Sequence, residues 1–294
     1  MVALAQFLPN ALKTGPAVSR ESGAKARVSR WPAKVDASRA LNAQSRAVNA
    51  LLCIDDISVS FDGFHAITDL TLIFNRGELR SIIGPNGAGK TTLMDVITGK
   101  TRPDKGTVFF VHDLDDLTAL SEHQIVRKGI GRKFQRPTVF QAHTVRENIE
   151  LAIAGNKSVT HLLFSGLSKA QAQRVDECLE NVGLTEKAKG IAGTLSHGEK
   201  QWLEIGMLLA QDPRVLLVDE PVAGMTSSEV EKTSVLLRSL RKRHTVVVVE
   251  HDMEFVRSLE SDCVTVLHEG RVLAEGSLSE VQSDRRVVEV YLGE

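Results

Sequence analysis

The sequence has little of what marks several common classes of protein. Aromatic residues make up only 4% of its 294 residues, which argues against stacking platforms for single-stranded nucleic acid. The cysteines Cys53, Cys178 and Cys263 are far apart and form no CxxC pair, so neither a zinc site nor a disulfide framework is expected, and a reducing compartment fits best. No apolar run approaches the roughly 18 residues that a membrane span needs.

The chain also lacks an excess of charge of either sign. It has 36 Lys and Arg residues against 37 Asp and Glu residues, a formal net charge of −1. No global field therefore attracts nucleic acid or an acidic membrane surface, and we expect no nucleic-acid partner. Hydrophobic residues at 42% and charged residues at 25% are close to the globular average and predict a folded chain.

The first fifty residues differ in composition from the rest. They contain eight basic and two acidic side chains and show no sustained hydrophobic period, so we predict a disordered basic tail over residues 1–49 and a folded domain over residues 50–294. The weakly apolar segment Met1–Leu12 precedes the basic residues, the reverse of the order in a secretory signal. A flexible tail, an over-long start and a transit peptide remain as interpretations.

From Leu51 onward the patterns alternate between strands and helices. Alternation predicts strands at Leu51–Phe61 and Ala66–Phe74, and short apolar runs predict buried strands at Leu79–Ile83, Val215–Val218 and Thr245–Val249. This order predicts an α/β fold with a mostly parallel sheet. Further strands are predicted at Val108–Val111, Val264–Leu267 and Arg271–Ala274, and helices at Thr91–Thr98, Ser121–Lys128, Ser168–Val182, Ser227–Leu240 and Asp252–Leu259.

A phosphate-binding loop is the strongest motif. Residues 84–91 match G-x-x-x-x-G-K-[ST] at every fixed position, between a buried strand and a helix. Glycines let the backbone N–H groups surround phosphates, Lys90 is expected to reach the β- and γ-phosphates, and the Thr91 hydroxyl is expected to bind Mg²⁺. The predicted ATP contacts of this segment are Gly84, Pro85, Asn86, Gly87, Ala88, Gly89, Lys90, Thr91 and Thr92.

Two carboxylates follow a second buried strand. Val215–Val218 ends in Asp219 and Glu220, which places both at the carboxyl edge of the sheet, where α/β folds bind ligands. Asp219 is expected to hold Mg²⁺, and Glu220 to orient and deprotonate the attacking water. The guanine motif of small GTPases fails at Asn156-Lys157-Ser158-Val159, and the kinase motifs H-R-D and D-F-G are absent.

Four further motifs resemble those of the ATP-binding cassette proteins. Together with the phosphate-binding loop and the Asp219–Glu220 pair, they follow one another along the chain in the order typical of that family. Residues 195–199, Leu-Ser-His-Gly-Glu, resemble the family's signature L-S-G-G-Q, and Phe134-Gln135 resembles its Q-loop. His251 resembles the switch histidine, and Phe61 occupies the place of the adenine-stacking aromatic. The resemblance runs from about Leu51 to Glu294. It implies a P-loop NTPase core, an antiparallel β subdomain and a helical subdomain at about residues 140–210.

The resemblance also implies roles for these residues. Two cassettes of the family face each other head to tail and enclose two ATPs, so the signature residues Ser196, His197, Gly198 and Glu199 are expected to bind the nucleotide of the partner cassette. Gln135 is expected to bind Mg²⁺ and to sense the attacking water, and His251 is expected to contact the γ-phosphate.

Three positions depart from the family pattern. His197 and Glu199 replace a glycine and the glutamine of the signature, and Thr226 stands where the family often has aspartate. Because two identical copies would place these departures at both sites, we expect the second cassette to be non-identical.

The segment between Gln135 and Ser196, about sixty residues, is too short for the coiled coils of repair cassettes, and the chain has one cassette, so a transporter subunit is expected. Residues 132–137 and the closing segment of the chain resemble the branched-chain amino acid and amide uptake group. The signature region and Pro221–Thr226 resemble the ATP-binding subunits of urea transporters. This implies a peripheral ATPase on the cytoplasmic face of the inner membrane, working with permease subunits and a periplasmic or extracellular substrate-binding protein to import urea.

Three alternatives remain open. A branched-chain amino acid importer has the same motifs, because a cassette does not touch the substrate. A soluble regulatory or repair ATPase would have no membrane partner. A nucleic-acid-binding module would depend on the basic tail, and the net negative charge of the remaining residues speaks against it.

Overall fold

The computed structural model describes residues 49–133, 138–153 and 167–292. The predicted tail, apart from Asn49, and the predicted ligand Gln135 lie outside these ranges, so both remain predictions. Within them, no helix is long and apolar enough to cross a membrane.

A six-stranded sheet forms the centre of the domain. Its strand order is β10-β9-β3-β8-β7-β6, with only β10 antiparallel to its neighbour. Strand β3 therefore lies between two strands that follow it much later in the chain. All residues of β3, β7 and β8 are buried, as expected for a parallel sheet covered on both faces. The strands are β3 (Leu79–Ile83), β6 (Ile130–Lys133), β7 (Val215–Asp219), β8 (Thr245–Val249), β9 (Cys263–His268) and β10 (Arg271–Gly276).

A second, antiparallel sheet has the order β2-β1-β4-β5. It comprises β1 (Ala50–Phe61), β2 (Phe64–Asn75), β4 (Lys105–Phe110) and β5 (Asp115–Asp116). Arg80 of β3 joins the two sheets, because its Nη2 donates to the carbonyl of Ile73 in β2 at 3.0 Å. The guanidinium also pairs with Glu78 at 2.6 Å and with Glu275 at 3.0 Å.

Helices cover the sheets, and serine or threonine begins several of them. Ser121, Thr144, Ser168, Ser196, Thr226 and Ser277 each form a capping box with a Glu or Gln three residues later. The helices of the described residues are α1 (Lys90–Ile97), α2 (Glu122–Arg127), α3 (Val145–Ala152), α4 (Lys169–Asn181), α5 (His197–Leu209), α6 (Ser227–Leu240), α7 (Met253–Ser258), α8 (Leu278–Ser283) and α9 (Arg285–Leu292).

Helices α3, α4 and α5 pack together as the helical part of the domain. Val145, Ile149, Val175 and Leu203 from these helices are fully buried in one apolar cluster. The buried Asn148 of α3 holds the segment that precedes this helix. Its side-chain oxygen accepts from the N–H of Phe140, and its side-chain nitrogen donates to the Phe140 carbonyl. The described residues thus contain the parallel sheet, the antiparallel sheet and the helices that the sequence predicts.

Strand β6 is a difference from the sequence prediction. Gly131, Arg132 and Lys133 have low strand propensity, yet β6 pairs in parallel with β7 and is buried throughout. Both charged side chains lie near carboxylates of other elements, so tertiary contacts override the local preference. Helices α8 and α9 were also not predicted; they pack on Ile83, Val256 and Val266 through Val281 and Val287.

Candidate active site

The phosphate-binding loop connects β3 to α1, as its motif predicts. Gly89 has φ +97°, and a Cβ there would come within 2.7 Å of the Ala66 carbonyl oxygen. A Cβ on Gly84 would collide with the Leu267 carbonyl oxygen. Glycine is therefore required at both positions, because the loop runs directly against backbone of β2 and β9.

The Lys90 amine lies inside this loop. It donates to the carbonyls of Gly84 at 2.6 Å and Pro85 at 3.0 Å. Burial lowers the pKa of Lys90, while the carboxylates of Glu220 and Asp219 act in the opposite direction. The ammonium is therefore placed between the loop and the carboxylate pair that the sequence predicts.

A cavity of about 340 Å³ brings most of the predicted ATP-binding residues together; Gly84 and Pro85 do not line it. It joins the phosphate-binding loop to the carboxylates at the end of β7 and to the turn between β1 and β2. Phe61 and Phe64 face each other across this turn and are 48% and 65% exposed, so Phe61 is not a core residue. The cavity is lined by Phe61, Phe64, Ala66, Asn86, Gly87, Ala88, Gly89, Lys90, Thr91, Thr92, Asp219, Glu220 and Val249.

Phe64 was not predicted from the sequence. The Asp62-Gly63 pair, typical of a two-residue hairpin turn, is the signal that would have paired Phe64 directly with Phe61. The two rings form an aromatic edge beside the phosphate-binding loop.

Asp219 is held by a buried arginine. Arg132 Nη2 lies 3.3 Å from the Asp219 carboxylate and Nη1 lies 2.5 Å from Asp95 on α1. Burial raises the pKa of Asp219, and the Arg132 guanidinium opposes that rise. Among the described residues no group of three or more His, Cys, Asp or Glu side chains could hold a metal ion unaided. Thr91 and Asp219 supply oxygen donors in the cavity, which fits an ion that also takes phosphate oxygens, as Mg²⁺ does.

Glu220 and His251 meet at the edge of the sheet. Glu220 has φ +43°, the left-handed region that residues other than glycine adopt rarely, and its N–H donates to the Val249 carbonyl at 3.0 Å. The Nδ1 atom of His251 is 3.6 Å from the Glu220 carboxylate and 3.7 Å from Glu250. The structure thus places the predicted base beside the predicted switch histidine.

Glu250 was not predicted from the sequence. It is 1% exposed, and one carboxylate oxygen accepts from the backbone N–H of His251 at 3.0 Å and of Asp252 at 3.4 Å. Burial raises the pKa of Glu250, and these N–H donors oppose the rise. The carboxylate therefore fixes the backbone turn that carries His251.

Lys133 at the end of β6 is a second buried charge near the site. Burial lowers the pKa of Lys133, and the carboxylates of Glu204, Asp219, Glu250 and Glu220 oppose that change. Glu204 belongs to α5, so this charge lies between the carboxyl edge of the sheet and the helix that begins within the signature.

The signature residues lie outside the nucleotide cavity. Ser196 caps α5: its Oγ accepts from the N–H of Glu199 at 3.1 Å, and the Glu199 carboxylate accepts from the N–H of Ser196 at 3.0 Å. His197 Nε2 is 3.2 Å from the Ala223 carbonyl oxygen and 2.9 Å from the Gln201 amide. Gly198 is buried against Glu229 of α6. None of Ser196, His197, Gly198 and Glu199 lines the cavity that holds Lys90.

The C-terminal helix reaches the phosphate-binding loop. Tyr291, the single tyrosine of the chain, lies in hydrogen-bond contact with the backbone of Gly84. Burial raises the pKa of Tyr291, and this hydrogen bond opposes the rise. No local motif links residues 207 positions apart, so this contact is not predicted from the sequence.

Comparisons with known proteins agree with this geometry. Residues 67–223 match the family model of ABC transporters, and residues 271–294 match a model described as branched-chain amino acid ATP-binding cassette transporter. The chain is 35% identical to the high-affinity branched-chain amino acid transport ATP-binding protein BraF of Pseudomonas aeruginosa and 36% identical to LivG of Salmonella typhimurium. Each alignment covers 83% of this chain and 98% of the relative.

A solved ATP-binding cassette of an ABC transporter, in its ADP conformation, is similar over the same region. It is 31% identical in sequence, and the two structures superpose with a TM-score of 0.72. The alignment covers 83% of this chain and 99% of the solved structure. The predicted fold class is confirmed. The chain belongs to the ATP-binding cassette family, as an ATP-hydrolysing subunit of an ABC transporter.

Proposed function

We propose that this chain energises the import of branched-chain amino acids through separate permease subunits. The choice of substrate class rests on residues 271–294, which match the model of branched-chain amino acid ATP-binding cassette transporters. Relatives that align with 83% of the chain are named as branched-chain amino acid transport proteins. The sequence resemblance put urea first; the comparisons favour the alternative.

Urea remains the second candidate because of particular residues. His197 in the signature and Thr226 after the Asp219–Glu220 pair are the departures that resemble urea transporter subunits. Neither residue lies in the nucleotide cavity of this chain. Because a cassette does not touch the transported substrate, a transport measurement must decide between the two.

Nucleotide binding is assigned to the cavity. We propose that adenine stacks on Phe61 and Phe64 and that the phosphates lie on the backbone N–H groups of residues 86–92. Lys90, which already bonds two carbonyls of the loop, would donate to the β- and γ-phosphates. This assignment follows from the lining of one cavity by aromatic, glycine and lysine residues.

Hydrolysis is assigned to the carboxyl edge of the sheet. Thr91 and Asp219, with Gln135 from outside the described residues, would hold Mg²⁺, which neutralises charge on the β- and γ-phosphates when bound. Glu220 would accept the proton of the attacking water, and His251 would donate to the γ-phosphate. The 3.6 Å approach of His251 to Glu220 supports a shared position for these groups beside the terminal phosphate.

The working unit requires a second cassette. Because Lys90 lines the cavity and Ser196 does not, one cassette does not bring both to the same ATP, and we propose that Ser196 and Gly198 meet the nucleotide of a non-identical partner. The assembly would lie at the cytoplasmic face of the inner membrane under its permease, with a substrate-binding protein on the opposite side.

Uptake by the host distinguishes the substrates. A strain lacking this chain should lose uptake of radiolabelled leucine, and expression of the wild-type chain should restore it. Expression of Glu220→Gln should fail to restore it although the protein binds ATP. Glu231→Gln, the same change at an exposed position of α6, serves as the matched control. Loss of urea uptake with leucine uptake intact would replace the proposed substrate by urea.

Turnover tests the catalytic assignment. Glu220→Gln keeps the shape of the side chain and removes the base, so we expect ATP hydrolysis to fall by about 10²–10⁴-fold, with ATP affinity retained. A rate equal to that of the wild type would refute the role of Glu220.

A further inference from the structure

A carboxylate of this chain lies against the signature segment. Glu229, in the first turn of α6, has one carboxylate oxygen 3.1 Å from the Ser196 hydroxyl, which donates to it. The same carboxylate lies over Gly198: a Cβ added to Gly198 would be 2.5 Å from Oε1 and 2.7 Å from the carboxyl carbon. Glu229 thus touches the serine and the glycine that the resemblance assigns to the partner's γ-phosphate.

Glu229 is held in this position by its own helix. Its other oxygen accepts from the backbone N–H and the hydroxyl of Thr226, each at 2.9 Å. These hydrogen bonds, with a further one from Ser196, outweigh the effect of burial and lower the pKa of Glu229. The group is therefore an anion at neutral pH, placed at the N-terminal end of α5, where the helix dipole favours negative charge.

We propose that Glu229 acts as an internal anion that occupies the signature site in the separate cassette and competes with the γ-phosphate of the partner's ATP. This inference rests on the proposed function, because it requires Ser196 and Gly198 to meet that phosphate. When the two cassettes close, the Ser196 hydroxyl must exchange the carboxylate of Glu229 for a phosphate oxygen. Since two like charges cannot both use this position without repulsion, the carboxylate has to turn away.

The contact also gives Thr226 a role. In this chain the residue at the usual aspartate position is an uncharged N-cap whose hydroxyl and N–H bind Glu229. In this chain a negative charge lies three residues later, on Glu229. The Glu229 carboxylate contacts the signature residues Ser196 and Gly198 of its own chain.

The substitution Glu229→Gln separates charge from structure. Glutamine can accept the same hydrogen bond from the N–H of Thr226, as either residue does in a capping box, so the fold should be kept while the anion is removed. Glu231→Gln is the matched control, since Glu231 lies on the same helix and is exposed. Glu229→Ala, which loses both the charge and the cap, is the second variant.

Association with the second cassette that co-purifies with this chain is measured by sedimentation. This chain carries Glu220→Gln, and Mg²⁺ and ATP are in excess, so that its own hydrolysis does not open the closed pairs. We expect Glu229→Gln to lower the dissociation constant of the ATP-bound pair by about tenfold or more, and Glu231→Gln to leave it unchanged. Glu229→Ala should change association in the same direction as Glu229→Gln, although its melting temperature falls.

A fluorescent ATP analogue, titrated at protein concentrations too low for association, gives the affinity of the single cassette. This affinity should be equal in all variants, because the cavity around Lys90 does not contain Glu229. Loss of this binding in the wild-type chain would contradict the proposed nucleotide site itself. If this binding is intact, the role of Glu229 is overturned when Glu229→Gln associates with the second cassette no more tightly than Glu231→Gln does.

Discussion

Removal of the Arg80 side chain should destabilise the whole domain without touching the nucleotide site. The guanidinium donates to Glu78 at 2.6 Å, to Glu275 at 3.0 Å and to the carbonyl of Ile73 at 3.0 Å, and its side chain is 4% exposed. The side chain of Glu78 is 5% exposed. In Arg80→Met, this carboxylate keeps the N–H of Asn75 but loses its counter-charge.

The size of the effect follows from that burial. Breaking a buried ion pair by removing one partner costs about 3–5 kcal/mol of unfolding free energy, because the remaining charge is left in a poorly solvated position. Typical domains have only about 5–15 kcal/mol of stability. For a domain of this size, each kcal/mol moves the melting temperature by about 2–4 °C, so Arg80→Met should melt roughly 6–20 °C below the wild type.

Urea denaturation and thermal melting followed by circular dichroism test this value. The double variant Arg80→Met/Glu78→Gln removes both charges and should be more stable than Arg80→Met alone. Arg286→Met is the matched surface control: Arg286 also pairs with a carboxylate, that of Asp284, at 2.7 Å, but its side chain is 63% exposed, so little change is expected. A loss below about 1 kcal/mol in Arg80→Met, or a double variant no better than the single, would refute the reasoning.

Three further predictions concern the site, the thiols and the tail. Phe61→Ala and Phe64→Ala should each weaken ATP binding by about 1–3 kcal/mol through lost stacking, measured by calorimetry; unchanged affinity in both would remove the rings from the site. Burial raises the pKa of Cys178 and of Cys263 to about 11, so at a pH of about 8 roughly one thiol in a thousand is ionised. Iodoacetamide should therefore label them slowly in the native protein and fast in urea, as read by mass spectrometry, and rapid native labelling would contradict this. Deletion of residues 1–48 should leave ATP affinity and the melting temperature unchanged; a large loss of either would show that the tail contributes to the fold.

The sequence predicted those parts of the site whose functional residues lie close together in one short segment. The glycines and Lys90 of the phosphate-binding loop lie within eight residues, and Asp219 and Glu220 directly follow an apolar strand. The structure places all of them except Gly84 around one cavity. A short motif suffices because the strand-to-helix connection itself forms the phosphate site.

The contacts that the sequence did not predict join distant segments. Ser196 and Glu229 are 33 residues apart, and Gly84 and Tyr291 are 207 apart. Strand β6 was missed for a related reason: Arg132 and Lys133 suit a strand interior only because Asp95, Asp219 and other carboxylates lie beside them. Strand propensity describes the residues of one segment only, whereas the carboxylates that stabilise β6 belong to other segments.

The position of β3 also determines when the nucleotide site can exist during synthesis. Its neighbours are β8 and β9, which are translated about 165–185 residues later, so a nascent chain emerging from the ribosome carries the complete phosphate-binding loop long before that loop has strands to support it. The chain must bring β8 and β9 beside β3, across this long sequence separation, before ATP can bind. ATP therefore stabilises only chains synthesised through β9, and a ribosome-bound fragment that ends before Cys263 should display the motif without binding nucleotide.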